Sequence, residues 1–246
     1  MKIFLSAIEN TTSSKGAGTV TFVEYWLKHN PGKKMKWNLM SYFYIQKKIP
    51  IAELIRDNSE EILIDSGAHS FQFGKKVDFL EYTKQYAEFI KTFDRPNVIG
   101  YFEMDIENVI GYEKVKELRV MLEKVSDKII PVWHPERGLT DFKEMCKNYA
   151  GKIIAIGGFR GTDIKDEQFI MFIKYARKYN CKVHCLGMTR KSVLDKVPFD
   201  YTHSSTWVQH SIFGRIANHG KVTRDFSKEK REVIFMKNYQ EAQKMQ

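Results

Sequence analysis

Eight short apolar runs, each of strand length, alternate with longer segments whose apolar residues fall at helical spacing. A chain written this way has few options, because consecutive parallel strands need long crossovers and amphipathic helices supply them. The runs are Lys2 to Ala7, Lys36 to Tyr44, Glu61 to Asp65, Asn97 to Asp105, Lys128 to His134, Lys152 to Ile156, Cys181 to Leu186 and Asp200 to His203. Helices are expected at Thr19 to His29, Ile51 to Asn58, Val77 to Phe93, Gly111 to Val125, Thr140 to Tyr149, Asp163 to Tyr179 and Arg190 to Lys196. In the third of these, Phe79, Tyr82, Tyr86, Phe89, Ile90 and Phe93 share one face. The pattern predicts an α/β protein of the parallel (β/α)8 type, a TIM barrel. The 246 residues suit the usual length of that fold, about 250. No repeat, low-complexity stretch or linker divides the chain, so one domain over residues 1–246 is expected, with a helical extension from about residue 208. An open doubly wound sheet is the alternative, but no GxGxxG follows the first strand.

Barrels of this kind build their sites at the C-terminal ends of the strands. There the sequence places Asp65, Asp105, His134, the pair Gly157-Gly158, Gly187 and His203. Two acids, two histidines and a glycine pair on one rim point to a site. Asp65-Ser66-Gly67 reads plainly as an Asx-type turn, and functionally as a carboxylate beside backbone that a ligand can approach. The glycine pair ends a strand and also leaves amides bare for a flat ligand. Period two puts Asp105, Glu103 and Tyr101 on one face and Met104 and Phe102 on the other. With Asp105 at the mouth, Glu103 is expected inside the barrel one layer down, holding either a proton or a cationic partner. Trp133 is expected outward among the helices, and His184 as a satisfied core histidine.

The formal net charge of +10 suits a polyanionic partner, nucleic acid above all. The charge is also diffuse and mostly lysine, as composition bias alone would give. Three cysteines do not make a disulfide framework, so a reducing cytoplasm is the expected compartment. No apolar run reaches the roughly 20 residues of a membrane span. Met1 to Ala7 reads as a strand rather than a signal-peptide core. Cys181, His184 and Cys185 lack zinc-site spacing and Cys146 lies far off, so no metal is expected. Neither a Walker A loop nor GxSxG is present, and no cofactor is expected.

Six segments in order resemble one known family. They are Asp65-Ser66-Gly67-Ala68-His69-Ser70-Phe71, Met104-Asp105-Ile106, Pro131-Val132-Trp133-His134, Ile156-Gly157-Gly158, the run from Lys182 through Gly187-Met188 to Thr189, and Ser204-Ser205-Thr206-Trp207. Together they resemble the tRNA-guanine transglycosylase (queuine/archaeosine tRNA-ribosyltransferase) superfamily. They look most like its compact phage and bacterial branch, related to the DNA 7-deazaguanine transglycosylases. The resemblance implies a barrel that exchanges a purine or 7-deazapurine base in DNA or tRNA. It puts Asp65 at the glycosidic centre, Asp105 on the base edge and His134 against the base. It makes Gly157 and Gly158 the amide donors and brings Ser66, Gly67, Gly187 and Met188 into the substrate-binding set.

Two departures stand out. The Cys-rich zinc site of the tRNA enzymes is missing, and His203 occupies the position of the family's nucleophilic Asp. Base exchange runs through a covalent sugar–carboxylate intermediate. A carboxylate with a histidine can instead direct water to an oxocarbenium-like centre. His203 is therefore expected in the catalytic set with Asp65 and Asp105, and hydrolytic base removal stands beside exchange. A catalytically inactive barrel that binds nucleic acid is the non-enzymatic alternative.

Overall fold

Val, Ile, Leu and aromatic residues fill both faces of the strand runs, as parallel strands covered on both sides require. The computed structural model, which describes residues 1–10, 21–71, 77–157, 164–218, 221–224 and 231–246, forms nine parallel strands from them. These are β1 (Lys2–Ser6), β2 (Met35–Ser41), β3 (Ser59–Asp65), β4 (Val98–Phe102), β5 (Ile129–Ile130), β6 (Val132–Trp133), β7 (Ile153–Ile156), β8 (Lys182–Cys185) and β9 (Tyr201–Ser204). They hydrogen-bond in the order β5-β4-β3-β2-β1-β9-β8-β7-β6. The first strand lies beside the last, with Phe4 opposite His203. The two outer strands of the order, β5 and β6, are consecutive in the chain. Only Pro131, which has no N–H to give a ladder, stands between them. The result is a nearly closed, TIM-like barrel.

Helices occupy the crossovers: α1 (Phe22–His29), α2 (Tyr42–Ile45), α3 (Ile49–Asp57), α4 (Phe79–Phe93), α5 (Glu107–Ile110), α6 (Tyr112–Glu123), α7 (Gly138–Asn148), α8 (Asp166–Arg177) and α9 (Lys191–Leu194). Local chemistry sets their starts. Thr21 and Glu24 form a reciprocal capping box for α1, with the Thr21 amide donating to Glu24 at 2.8 Å. The Asp78 carboxylate accepts the Leu80 and Glu81 amides at the head of α4. No helix among the described residues is long and apolar enough to cross a membrane.

Alternation sorts the strand side chains. Phe4, Leu39, Leu63, Phe102, Val132 and Tyr201 fill the barrel interior. Ile62, Ile64 and Tyr101 face outward against the α4 layer. Trp133 also faces outward, as expected, with its ring 5.3 Å from Phe142. At the N-terminal end of the barrel, Lys2 pairs with Glu61 at 2.5 Å and lies over Trp37.

Three expectations need correction. β2 stops at Ser41, and Tyr42 to Ile45 form α2 rather than continuing the strand. β4 stops at Phe102, and because Phe102 points inward, Glu103 points out. Glu103 does not sit inside the barrel. Its Oε2 lies 2.5 Å from Arg119 Nε on α6, and its Oε1 accepts the Val132 amide. The Glu103 amide still donates to the Ile130 carbonyl at 3.1 Å, and Asp105 reaches the mouth because residues 104–106 have left the ladder, not by alternation. The segment after residue 208 is not helical throughout. After α10 (Thr206–Ile212) comes an antiparallel hairpin, β10 (Arg215–Asn218) with β11 (Lys221–Arg224), and then α11 (Arg231–Gln243). Tyr239 of α11 packs 5.1 Å from both Phe22 and Trp207, so the tail completes the helix layer beside β1.

Candidate active site

Asp65 inherits its position from β3. Leu63 faces the interior, so two residues on, Asp65 faces the mouth. Its Oδ2 accepts the Gly67 amide at 2.9 Å. Gly67 has φ +81°, and a Cβ there would lie 2.3 Å from the Cβ of Phe43. Only glycine lets this turn pass. Ser66 does not offer its hydroxyl to the mouth. It is fully buried and donates to the Glu103 carbonyl at 2.8 Å, while Tyr82 donates to the Ser66 carbonyl. The Asp-Ser-Gly turn thus orients one carboxylate and ties the end of β3 to the end of β4.

His134 follows Val132 by the same alternation, and its Nε2 lies 2.6 Å from Asp105 Oδ1. Both side chains are mostly shielded, at 16% and 28% exposure. Burial works against the imidazolium, but the Asp105 hydrogen bond and charge outweigh it, with Glu107 adding to the pull. The net effect raises the His134 pKa. A Cβ at Gly157 would lie 2.7 Å from His134 Cε1, so the glycine makes room for this ring. A bare amide is expected at Gly157 from the sequence, but that amide donates to the Trp133 carbonyl at 2.9 Å. Gly158 lies outside the described residues.

His203 faces inward at the end of β9 and is part-exposed. Its Nδ1 lies 2.9 Å from Nε2 of His184, which is fully buried. Burial pushes the His203 pKa down to about 4 and holds that of His184 well below the ordinary histidine value, with His203 as a further depressing charge. His184 is a core histidine, but it is satisfied on one nitrogen only; Nδ1 has no partner among the described residues. Gly187 turns at φ +63° over open space. Met188 is not brought to the mouth. It is buried in the outer core, and its carbonyl accepts the Thr202 hydroxyl at 2.8 Å.

Glu9 is the group that sequence reasoning missed. Ala7 adopts φ 67°, and the turn Ile8–Asn10 folds Glu9 back beside the end of β2. There it is 2% exposed, and Oε1 accepts the Ser41 amide at 3.1 Å. Ser41 is the register partner of Asp65. Oε2 has no partner. Burial, with a smaller push from the Asp65 charge, raises the Glu9 pKa to about 7 against its two backbone hydrogen bonds and Lys48. The signal was available, since an acid closes the apolar run Leu5 to Ile8 just as Asp65 closes its own.

Glu107, His134 and Glu136 bring ligand atoms within 4.8 Å of one another. However, Arg137 Nη1 already lies 3.3 Å from Glu107, and His134 Nε2 is engaged by Asp105. These residues fit an ion-pair network better than a cation site.

The mouth therefore combines an oriented carboxylate, a carboxylate–imidazole pair and a neutral histidine. A carboxylate can attack or stabilise a cationic carbon, and the other groups can bind a polar planar edge. No family model, curated protein or solved structure matches the chain.

Proposed function

We propose that this protein acts on the N-glycosidic bond of a nucleobase in nucleic acid, in the manner of the tRNA-guanine transglycosylases that its strand-end motifs resemble. In this reading β5 and β6 count as one strand broken at Pro131, which makes the barrel a (β/α)8 barrel. The observation that carries the proposal is the pairing of Asp105 with His134 at 2.6 Å on the rim where Asp65 also ends its strand. Asp65 supplies negative charge for the sugar carbon as the C–N bond to the base breaks and the electron pair leaves with the base. Asp105 and His134 bind the polar edge of that base. A base inside a duplex is out of reach of such a site, so the target nucleotide is flipped out or single-stranded. The formal charge of +10 holds the phosphates.

A second reading, hydrolytic base removal, is favoured by one observation. A neutral imidazole, His203, stands where the resembled family has its nucleophilic Asp. Water then takes the sugar carbon and an abasic site remains. Single-turnover incubation with labelled DNA and RNA oligonucleotides, with and without added free purine or 7-deazapurine, tests both readings. Exchange requires incorporation of the added base, and hydrolysis gives release without it. Binding with neither would leave a nucleic-acid-binding barrel, and failure to bind would overturn the proposal.

A further inference from the structure

We propose that His184 is a positioning residue that fixes His203 as the neutral tautomer with its proton on Nε2, so that the mouth presents a ligand with an N–H donor there rather than a base or nucleophile. The tautomer stands on the geometry of the pair and on the burial that keeps both rings neutral; its catalytic meaning rests on the nucleobase reading above.

His184 Nε2 and His203 Nδ1 are 2.9 Å apart, so one of them carries the proton between them. Suppose it belonged to His203 Nδ1. His184 would then hold its own proton on Nδ1, an atom sealed from solvent and without a partner among the described residues. An orphaned buried N–H is rare in folded proteins, because it carries the whole desolvation cost of the donor with no bond to offset it. In the opposite arrangement His184 Nε2–H donates to His203 Nδ1, and only a bare lone pair is left among the rings of Phe4, Phe102 and Tyr201. An unpaired acceptor is better tolerated than an unpaired donor. A neutral imidazole has one proton, so that of His203 is on Nε2. That nitrogen has no hydrogen-bond partner among the described residues, and it belongs to the part-exposed ring of the pair.

The chemistry follows from the tautomer. A neutral imidazole N–H can donate to a carbonyl oxygen or ring nitrogen of a flat heteroaromatic ligand. It can also steady negative charge on a departing base without transferring a proton. It cannot take a proton from water, so His203 is not the general base of a hydrolytic step. Strand pairing makes the lock possible. His184 lies opposite Tyr201 in the β8–β9 ladder, and His203 is the next inward residue toward the mouth.

The test is long-range proton–nitrogen NMR on histidine-labelled protein near neutral pH. Protonated Nε2 and bare Nδ1 are expected for both rings. His203 with its proton on Nδ1 would overturn the inference. In His184→Phe, which keeps an aromatic ring in the hole, His203 should populate both tautomers; an unchanged single tautomer would show that His184 is not the lock. His184→Gln gives a second variant of the same experiment. The ligand side is read by single-turnover base release from labelled oligonucleotide. His203→Gln, which keeps an N–H donor, should stay within about 10-fold of wild type, while His203→Ala falls by roughly 10²-fold. Equal losses in the two variants would refute the donor role. A wild-type protein that releases no base would refute the nucleobase reading, leaving the NMR result to judge the tautomer.

Discussion

The imidazole of His134 and the carboxylate of Asp105 meet at 2.6 Å although neither the strand pairing nor the helical pattern joins them. β4 has ended three residues before Asp105, and the chain there runs free of the ladder. His134 takes its direction from the alternation of β6, and Gly157 clears the space its ring occupies. The contact is thus the meeting of a regular element with an irregular one.

That contact has a pH signature. The folded pKa of His134 is raised, so its contribution to stability is complete below the unfolded value of about 6.5 and fades as pH rises through the folded value. Asp105→Asn removes the charge that sustains the imidazolium. The His134 pKa, followed by NMR, should fall, and stability at pH 5.5 should drop by about 1–2 kcal/mol, the scale of a charge-assisted hydrogen bond. At pH 9 the loss should be smaller. Equal losses at both pH values would mean that the imidazolium form is not what Asp105 stabilises.

Glu9 works in the same sense, in a window that opens at lower pH. Its proton is retained to about pH 7 in the fold, against 4.5 for the free group, so between these values the folded state binds more protons than the unfolded chain. Stability therefore declines as pH climbs from 4.5 to 7, then levels off. Glu9→Gln mimics the protonated carboxyl. It should abolish this decline and stabilise the protein above pH 7 by on the order of 2 kcal/mol. Urea unfolding at pH 5 and pH 8 measures the difference, and a variant less stable than wild type at pH 8 would contradict a buried carboxyl that is costly to ionise.

The barrel was legible because strand pattern and helix pattern are global. Burying both faces of each strand forces the apolar runs, and Asp65, His134 and His203 could be placed by counting in twos. Where the chain leaves the ladder, counting fails. Glu103 was assigned to the interior from the position of Asp105, but Asp105 is on an irregular segment, so its direction says nothing about residues behind it. Glu9 was missed for a related reason. Its position depends on a left-handed Ala7, which L-residues adopt seldom and no periodicity announces. Gly157 was legible as a strand end, yet its amide belongs to the β6–β7 ladder, a partner that only the register reveals.

Glu103 and Arg119 make a further expectation specific. Burial pushes the Glu103 carboxyl upward, and the Arg119 charge and the Val132 amide pull against it. Arg119→Met leaves the carboxylate buried with the Val132 amide as its remaining strong donor. Thermal or urea denaturation should show a loss of about 3–5 kcal/mol, the usual cost of breaking a buried pair from one side. Glu103→Gln combined with Arg119→Met should recover most of it. A double variant no better than the single one would show that the pair is not coupled.

The last expectation concerns Asp65, where the proposed chemistry is most exposed. The carboxylate is held by the Gly67 amide, and that turn is held in turn by Ser66 on Glu103 and by Tyr82 on Ser66. A group fixed this way pays little to reorganise as charge develops on a sugar carbon. Asp65→Asn keeps the size of the side chain, and its amide oxygen can still accept from Gly67, so the turn and the fold should survive. Only the charge is lost. Removing a preorganised electrostatic group costs about 10²- to 10³-fold in rate, so single-turnover base release should fall by at least that much. Oligonucleotide affinity, which the proposal assigns to the dispersed positive charge, should stay within a few-fold of wild type and keep the same salt slope. If base release in Asp65→Asn equals that of wild type, the reacting carbon does not sit at Asp65, and the Asp105–His134 pair becomes the place to look for it.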